Sequence, residues 1–445
     1  MNVAIPKTKA EQALTEAFAA AAPKLPGSAA VTAARAKAIG EFGALGLPHR
    51  RIEEWKYTDL RVQLKDIATP AIDDASTVNA NDVAAALGAL ANVDAYRIVF
   101  VNGGHRAQLS NLDGAKGLDV QPLGAALKSV PEKVADGLMR ATGPTSDATV
   151  ALNTAFVSDG AIVRVADGAT LEKPLMVIFL SAGTASRLTS VRNIVSAGAG
   201  STATIIEVHA SLKGAATGGQ VNALSEVTAG KGAALTHVKI AASPHGAVHL
   251  ANWNVTLGAD ATYKGFQYTS GQSLVRNQTH AVYAGEGGKF DLSGAYLARG
   301  NEHIDTTLVV DHAVPHCESR ELFKGVLDDR GRGVFQGKII VRPDAQKTDG
   351  KQMAQALMLS PDAEFDSKPE LEIYADDVVC GHGTTTAELD ADLLFYCKSR
   401  GIPEDEARAL LIESFIGEAL DKIEHEELRA ALTSYANDWL RAARS

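Results

Sequence analysis

A cysteine and a histidine two residues apart, Cys380 and His382, are the side chains of this chain best suited to metal chemistry. They follow a short apolar alternation, and glycines at positions 381 and 383 keep side-chain bulk away from both. In an extended strand, residues i and i+2 project to the same side, so we expect the thiol and the imidazole to face one partner together. A thiolate beside an imidazole suits soft or borderline metal ions. The same two side chains would equally suit a buried thiol and a hydrogen-bonded histidine with structural roles.

Two donors do not complete an iron or zinc site, so a metal role for this pair requires ligands from elsewhere, and we expect a partner chain to supply them. The adjacent carboxylates Asp376 and Asp377 would face opposite sides of a strand, which predicts turn residues rather than an acid–base pair. Cys397 lies among apolar residues and is predicted to be structural.

A second segment with metal-binding residue types contains His312, His316 and Cys317. The two histidines are four residues apart with a proline between them, so neither helix nor strand geometry brings them together. A polar turn between strands is therefore the favoured interpretation of this segment.

Nucleotide binding by this chain is not predicted. The loop that begins at Gly331 has the wrong spacing for a phosphate-binding loop, and Ile339 follows Lys338 where Ser or Thr is needed. No serine–histidine–aspartate spacing stands out either. His245 and His249 are predicted to lie on a loop. If ATP drives the function, another subunit must bind it.

The composition excludes several classes of protein. The 445 residues carry a formal net charge of −10 with a pI near 5.7, which argues against a nucleic-acid binder or a polybasic membrane anchor. No apolar run approaches the roughly 18 to 20 residues of a membrane span, and the N-terminus lacks a signal-peptide pattern. Three scattered cysteines predict no disulfide framework. We expect an acidic cytoplasmic protein.

The distribution of helical and strand patterns along the sequence predicts three domains. Residues 1–145 are predicted to be mainly helical, 146–392 to be built from strands and 393–445 to be helical again. In the first domain, the patterns predict four helices and one strand. The helices are Thr8–Ala22, Thr32–Leu45, Asp82–Leu90 and Lys116–Arg140, and the strand is Tyr96–Val101.

The middle region repeats. Glycine-containing turns recur roughly 27 to 32 residues apart, and each precedes an alternating run such as Ala203–Val208 or Phe290–Tyr296. A period of this length built from strands is typical of a β-solenoid, whose stacked coils share one core. A β-sandwich is the rival architecture, but few hairpin dipeptides are present. We therefore predict the solenoid.

The helical period returns at Pro403, a residue that suits a helix start. Apolar residues then recur on one face, among them Leu411, Phe415, Leu420 and Ile423. These stripes must pack against each other, the solenoid or a second protein. Helices at this end of the chain would also cover the open edge of a solenoid.

Long strings of this sequence resemble the SufB/SufD family of the SUF iron–sulfur cluster assembly machinery, and its SufD branch in particular. The resemblance is strongest from His316 to about Ala409. It rests on Phe323-Lys-Gly-Val-Leu, Arg332-Gly-Val-Phe-Gln-Gly-Lys, Gln346-Lys-Thr-Asp, Lys368-Pro-Glu-Leu-Glu-Ile-Tyr-Ala-Asp-Asp-Val, Cys380-Gly-His-Gly, Leu394-Phe-Tyr, Ser399-Arg-Gly-Ile and, near the N-terminus, Glu53-Glu-Trp-Lys-Tyr-Thr-Asp.

The resemblance implies a right-handed parallel β-helix flanked by N- and C-terminal helical domains. It further implies a non-catalytic scaffold that pairs with a SufB-like paralogue and binds a SufC-like ATPase through its C-terminal helices, where Leu411, Phe415, Leu420 and Ile423 lie. Cys380 and His382 would lie where the two β-helices meet and would contact iron or an iron–sulfur cluster transiently. The isolated chain is expected to hold no tightly bound cofactor.

Three questions stay open at this point. Two copies of the chain could pair with each other when the SufB-like partner is missing. A polysaccharide-acting β-helix enzyme is the alternative function, although no clearly spaced carboxylate pair is present. A stand-alone metalloenzyme built on the turn from His312 to Cys317 would hold stoichiometric metal as an isolated chain.

Overall fold

The structure is a computed structural model of the chain, and it describes residues 7–72, 76–129, 139, 147–242, 246–271 and 273–442. Its dominant feature is a pair of ten-stranded sheets, to which the strands after residue 160 contribute alternately. In sheet I the strands are β1 (Thr69–Pro70), β4 (Leu118–Pro122), β5 (Ala161–Val165), β7 (Arg187–Ala197), β9 (Gln220–Ala229), β11 (Val248–Leu257), β13 (Leu274–Tyr283), β15 (His303–His312), β17 (Arg332–Val341) and β19 (Glu364–Ile373).

Sheet II has the complementary set. Its strands are β2 (Tyr96–Val101), β3 (Gly104–His105), β6 (Leu175–Ser181), β8 (Thr202–Ser211), β10 (Ala234–Ala242), β12 (Thr262–Ser270), β14 (Lys289–Ala298), β16 (Glu318–Leu327), β18 (Asp349–Met358) and β20 (Val379–Ala387). From β5 onward each odd-numbered strand pairs in parallel with the next odd one, and each even-numbered strand from β6 with the next even one.

The predicted solenoid is confirmed. One strand from each sheet makes a turn, and β5 to β20 form about eight turns. Ala234 pairs with Thr262, and Thr262 pairs with Lys289, which are steps of 28 and 27 residues. The glycine turns therefore mark coils stacked in register, because each coil can bury its apolar face only against its neighbours.

Nine α-helices flank this body in the described residues. They are α1 (Lys9–Ala21), α2 (Ala29–Leu45), α3 (Leu60–Gln63), α4 (Ala80–Leu87), α5 (Leu123–Ser129), α6 (Ala148–Phe156), α7 (Ala391–Ser399), α8 (Glu404–Leu420) and α9 (Glu426–Ala442). Helix α2 begins earlier than predicted because the Ser28 hydroxyl accepts a hydrogen bond from the Val31 amide and so caps it.

The predicted helix Lys116–Arg140 is partly wrong. Residues Leu118–Pro122 form β4, which pairs antiparallel with β5, and the helix α5 follows at Leu123–Ser129. Pairing with a neighbouring strand overrides the local helical pattern here. Residues 130–138 and 140 of that prediction lie outside the described residues. The division of the chain into domains 1–145, 146–392 and 393–445 stays a prediction.

The core lies between the two sheets, with aromatic side chains such as Trp253, Tyr263 and Phe290 fully buried in it. The outer face of sheet II is covered by α8 and α9, whose buried side chains share one cluster with residues of β10, β12 and β14. The C-terminal helices thus cover a sheet face, and the expectation that they cover the end of the solenoid is wrong. Sheet faces offer a far larger apolar area than a strand edge does.

The last coil, made of β19 and β20, therefore has no following coil in the described part of the chain. Its strands contain no fully buried residue. Among the helices of the described residues, none combines the length and the apolar character that crossing a membrane would take.

Candidate functional site

Cys380 and His382 both lie on β20, the terminal strand of sheet II. Cys380 pairs with Gly350 and His382 pairs with Gln352 on β18. Cys380 is half-buried and packs against the apolar cluster of Ile339 and its neighbours in sheet I, whereas His382 is exposed. The pair therefore stands at the end of the solenoid, on the strand where the next coil would be added.

The two residues line one cleft of about 410 Å³. The wall of this cleft comes from four consecutive strands of sheet II, β14, β16, β18 and β20, and from the turn after α8. Its other charged or polar side chains are Asp291, Arg320, Glu321, Lys351, Gln352 and Lys422. Gly381 has no heavy atom within 4 Å of the position where a Cβ would stand, so the opposite face of the strand is open at this point.

The Cys380 thiol is held in its protonated form by its surroundings. Burial raises its pKa, and the carboxylates of Asp349 and Glu321 raise it further, while a hydrogen bond with the Gly350 backbone acts in the opposite direction. A thiol must lose its proton to bind metal, so a cation in the cleft would have to compete with that proton.

The chain does not complete a metal site on its own within the residues the structure describes. No three side chains of His, Cys, Asp or Glu are grouped there in a way that could hold an ion. Cys380 and His382 supply two donors of the kind that iron accepts, together with an open approach. A metal ion bound by these two side chains would need further ligands from water or from another molecule.

The turn from His312 to Cys317 does not assemble into a site. His312 ends β15, is fully buried, and its Nε2 lies 3.2 Å from the Ser319 hydroxyl. Burial lowers the pKa of His312 to about 4. His316 is exposed at a left-handed φ of 60°, and Cys317 is fully buried. His316 thus lies at the surface of the coil, whereas His312 and Cys317 lie in its interior.

His249 lies on β11 with its side chain buried, so the loop predicted for it is wrong, and His245 lies outside the described residues. It belongs to a polar group inside the middle coils. His209 lies 2.7 Å from Glu207, and its ring meets that of His249 at 4.6 Å. Although burial acts to raise the pKa of Glu207, its hydrogen bonds with His209 and His237 hold it well below the ordinary range. Strand alternation alone did not indicate this network, because its members come from different coils.

The N-terminal string around Trp55 has a structural role. The Arg276 guanidinium lies 3.8 Å from the centre of the Trp55 ring, and it forms an ion pair with Asp305. The Thr58 hydroxyl donates to Asp305, and its oxygen also lies 2.9 Å from His303 Nε2. Arg276, Asp305 and Thr58 are all at least 99% buried. This group, called the Trp55 clamp below, ties the N-terminal region to β13 and β15.

The predicted docking residues divide into two pairs. Leu411 and Phe415 are half-buried, and Phe415 lies under the Lys324 ammonium at 4.4 Å. Leu420 and Ile423 are each 3% exposed and belong to the cluster between the helices and sheet II. These last two side chains are therefore already buried within the chain itself.

Helix α7 carries the exposed apolar surface that the sequence did not single out. It contains no fully buried residue, and Leu393, Phe395 and Tyr396 are 51%, 74% and 56% exposed. Cys397 is half-buried on this helix, next to the exposed Tyr396, so it does not lie in the core. The cause is that α7 packs mainly along α8, which leaves its other sides uncovered. A protein surface with this many large apolar side chains is typical of an interaction site.

Two family models match the chain. The model for the N-terminal region of SufBD proteins covers residues 8–177, and the model described as SUF system FeS cluster assembly, SufBD core domain, covers residues 179–415. The second alone spans more than half of the chain, and both candidate residues of β20 fall inside it.

Relatives of known type support the same grouping. A SufBD family protein of Synechocystis is 31% identical over 88% of this chain and 87% of its own length. The iron–sulfur cluster assembly protein SufD of Escherichia coli is 29% identical over 86% of this chain and 87% of its own length. SufD of Bacillus subtilis is 27% identical over 64% of this chain and 65% of its own length.

Proposed function

The chain belongs to the SufBD family of SUF iron–sulfur cluster assembly proteins and is of the SufD type, and we propose that it is a scaffold subunit whose last coil forms half of a cluster assembly site. The other half would come from a SufB-like paralogue that packs against the same end. Both family models describe SUF proteins, so the alternative of a polysaccharide-acting enzyme finds no support in them.

The observation that carries the proposal is the position of Cys380 and His382 on the terminal strand. In the described residues β20 is bonded to β18 alone, so its outer edge offers unpaired backbone groups to another strand. A partner strand added there would bring its own side chains to within about 5 Å of the thiol and imidazole. The two halves together could complete a coordination set that one chain leaves unfinished.

The chemistry expected of this half-site is modest. Cys380 would give up its proton and bind iron or sulfide-bridged iron through sulfur, and His382 would bind through a ring nitrogen or receive a proton. The burial that raises the pKa of Cys380 would keep the thiol unreactive until a cation arrives. A scaffold of this kind needs to bind iron transiently rather than to hold a permanent metal ion.

The test is His382→Ala in the complex purified anaerobically with its SUF partners. We expect the complex to assemble normally, because His382 is exposed and packs against little, and to contain less iron and sulfide. Thr385→Ala, an exposed position on the same strand, is the matched control. Equal iron and sulfide content in the His382→Ala complex and the control would rule out the assembly role.

We further propose that a SufC-like ATPase docks on the C-terminal helices, where Leu411 and Phe415 remain partly accessible and α7 adds Phe395 and Tyr396. Leu420 and Ile423 would support this surface from below rather than touch the partner. The double variant Phe395→Ser/Tyr396→Ser should fold normally and lose the ATPase on co-purification. If this variant retained the ATPase, the docking site would have to lie elsewhere.

A further inference from the structure

Three oxygen atoms beside the candidate site are buried without a hydrogen-bond donor. They are both carboxylate oxygens of Glu321 on β16 and the amide oxygen Oε1 of Gln352 on β18. The two residues are paired directly across the strands, and each is 3% exposed. A buried polar atom without a partner costs free energy, so a cluster of three acceptors requires an explanation.

The local packing holds these oxygens in place. Gln352 Nε2 donates to the Gly337 carbonyl at 3.1 Å, which fixes the direction of its amide. The amide stands directly against the Gly337 backbone, since a Cβ there would lie only 2.1 Å from Gln352 Oε1. The next residue along the same row of strand pairs is His382, which pairs with Gln352. Glu321, Gln352, Cys380 and His382 all line the same cleft.

The nearby cations are engaged with other carboxylates. Arg320 Nη2 lies 2.5 Å from Asp349, and Lys422 Nζ lies 3.4 Å from Asp291. The Ser319 hydroxyl is close to Glu321 but lies in hydrogen-bond geometry with His312. Burial raises the pKa of Glu321 to about 8, and Asp291 adds to this, while Ser319 and Arg320 only partly offset it. The negative charge of the ionised Glu321 carboxylate is thus only partly compensated by the groups around it.

A carboxylate and a carboxamide oxygen on neighbouring strands are the donor types that divalent cations with hydrated shells accept. We propose that Glu321 and Gln352 bind a partly hydrated divalent cation of the ferrous type, one to two strands inward from Cys380 and His382. The two residues give only two or three oxygens, so water from the adjoining cleft would supply the other ligands. The biological role of this cation site would be to deliver iron to the thiol and the imidazole, and that role rests on the proposed function.

The experiment uses the isolated full-length chain and Mn²⁺, whose free form is measured by electron paramagnetic resonance. We expect the wild-type chain to bind one Mn²⁺ and Glu321→Gln to weaken that binding about tenfold or more. Gln352→Met, which removes the amide oxygen at similar length, should weaken it less. Glu318→Gln, a half-exposed carboxylate on the same strand, is the control and should bind as the wild type does.

The inference fails if the wild-type chain binds no Mn²⁺, or if both Glu321→Gln and Gln352→Met bind it unchanged. In that case a proton, not a cation, occupies the cluster. The double variant Cys380→Ser/His382→Ala separates this result from the proposed function, because Mn²⁺ prefers oxygen ligands and should still bind. If clusters form normally without His382 while Glu321→Gln loses Mn²⁺, the cation site stands and the assembly role falls.

Discussion

Replacing Asp305 by Asn should loosen the N-terminal region from the solenoid. Asp305 is the counter-charge of Arg276 in the Trp55 clamp, and both side chains are at most 1% exposed. The substitution keeps the shape of the side chain but removes its charge. Arg276 would then remain a buried cation without a counter-charge. It would keep its hydrogen bonds to the Glu54 carbonyl and Gln278 and its stacking on Trp55.

The expected loss follows from the burial of the pair. Breaking a buried ion pair by removing one partner costs about 3 to 5 kcal/mol, because the remaining charge is uncompensated. The same substitution at an exposed pair costs about 0 to 1 kcal/mol. Asp119 offers this matched control, because it pairs with Arg164 at 3.2 Å with both side chains about half exposed. Asp305→Asn and Asp119→Asn should therefore differ by roughly 3 kcal/mol in the free energy of unfolding.

The assay is urea unfolding of the isolated chain followed by fluorescence, together with limited proteolysis. A chain of this size need not unfold in two states, so proteolysis provides a local measurement. The segment around Trp55 should become accessible to protease in Asp305→Asn while the coils stay protected.

The double variant Asp305→Asn/Arg276→Met separates charge from packing. Removing both charges should recover part of the lost stability, since no uncompensated cation remains. The interpretation of the clamp would be refuted if Asp305→Asn lost no more stability than Asp119→Asn, or if N-terminal protection were unchanged.

Three further outcomes are expected. The pKa of Glu321 is raised by folding to about 8, so the folded chain binds more protons than the unfolded one between about pH 4.5 and 8. Without a divalent cation, stability should fall as pH rises through this window, by on the order of 3 kcal/mol near pH 7, and Glu321→Gln should flatten the dependence in urea titrations. Cys317 should resist alkylation by iodoacetamide in the folded chain, whereas Cys380 should react increasingly as the pH is raised above 9, measured by mass spectrometry of peptides. Leu420→Ala should lower the free energy of unfolding by about 2 to 5 kcal/mol, and Phe395→Ala by no more than about 0.5 kcal/mol, because only Leu420 is buried.

Local patterns were enough to predict the architecture. The turn spacing predicts stacked coils because a strand alternates with period two and each coil must return after a similar length. Pro403 and the acidic residues after it predict the start of α8, which begins at Glu404. The strings around Cys380 and Lys368 predict the family, and the comparisons confirm it.

What local patterns could not predict is which residues meet across coils and which faces are covered. Glu321 and Gln352 are 31 positions apart in the chain and adjacent in space, and Trp55 meets Arg276 across more than 200 residues. The same holds for exposure. Leu420 and Phe395 are both apolar residues on C-terminal helices, yet one is buried on sheet II and the other faces outward.

The amino-acid sequence by itself therefore determined the repeat, the helices at both ends and the family, and it supplied Cys380 and His382 as a metal-binding pair that stays a prediction. The tertiary structure decided that this pair lies on the last strand, that the C-terminal helices cover a sheet face and leave that strand uncovered, and that a buried carboxylate lies beside it. The physical reason is that periodicity records each residue's own strand or helix, whereas burial and pairing depend on the neighbouring coil, which is about 30 residues away in the chain.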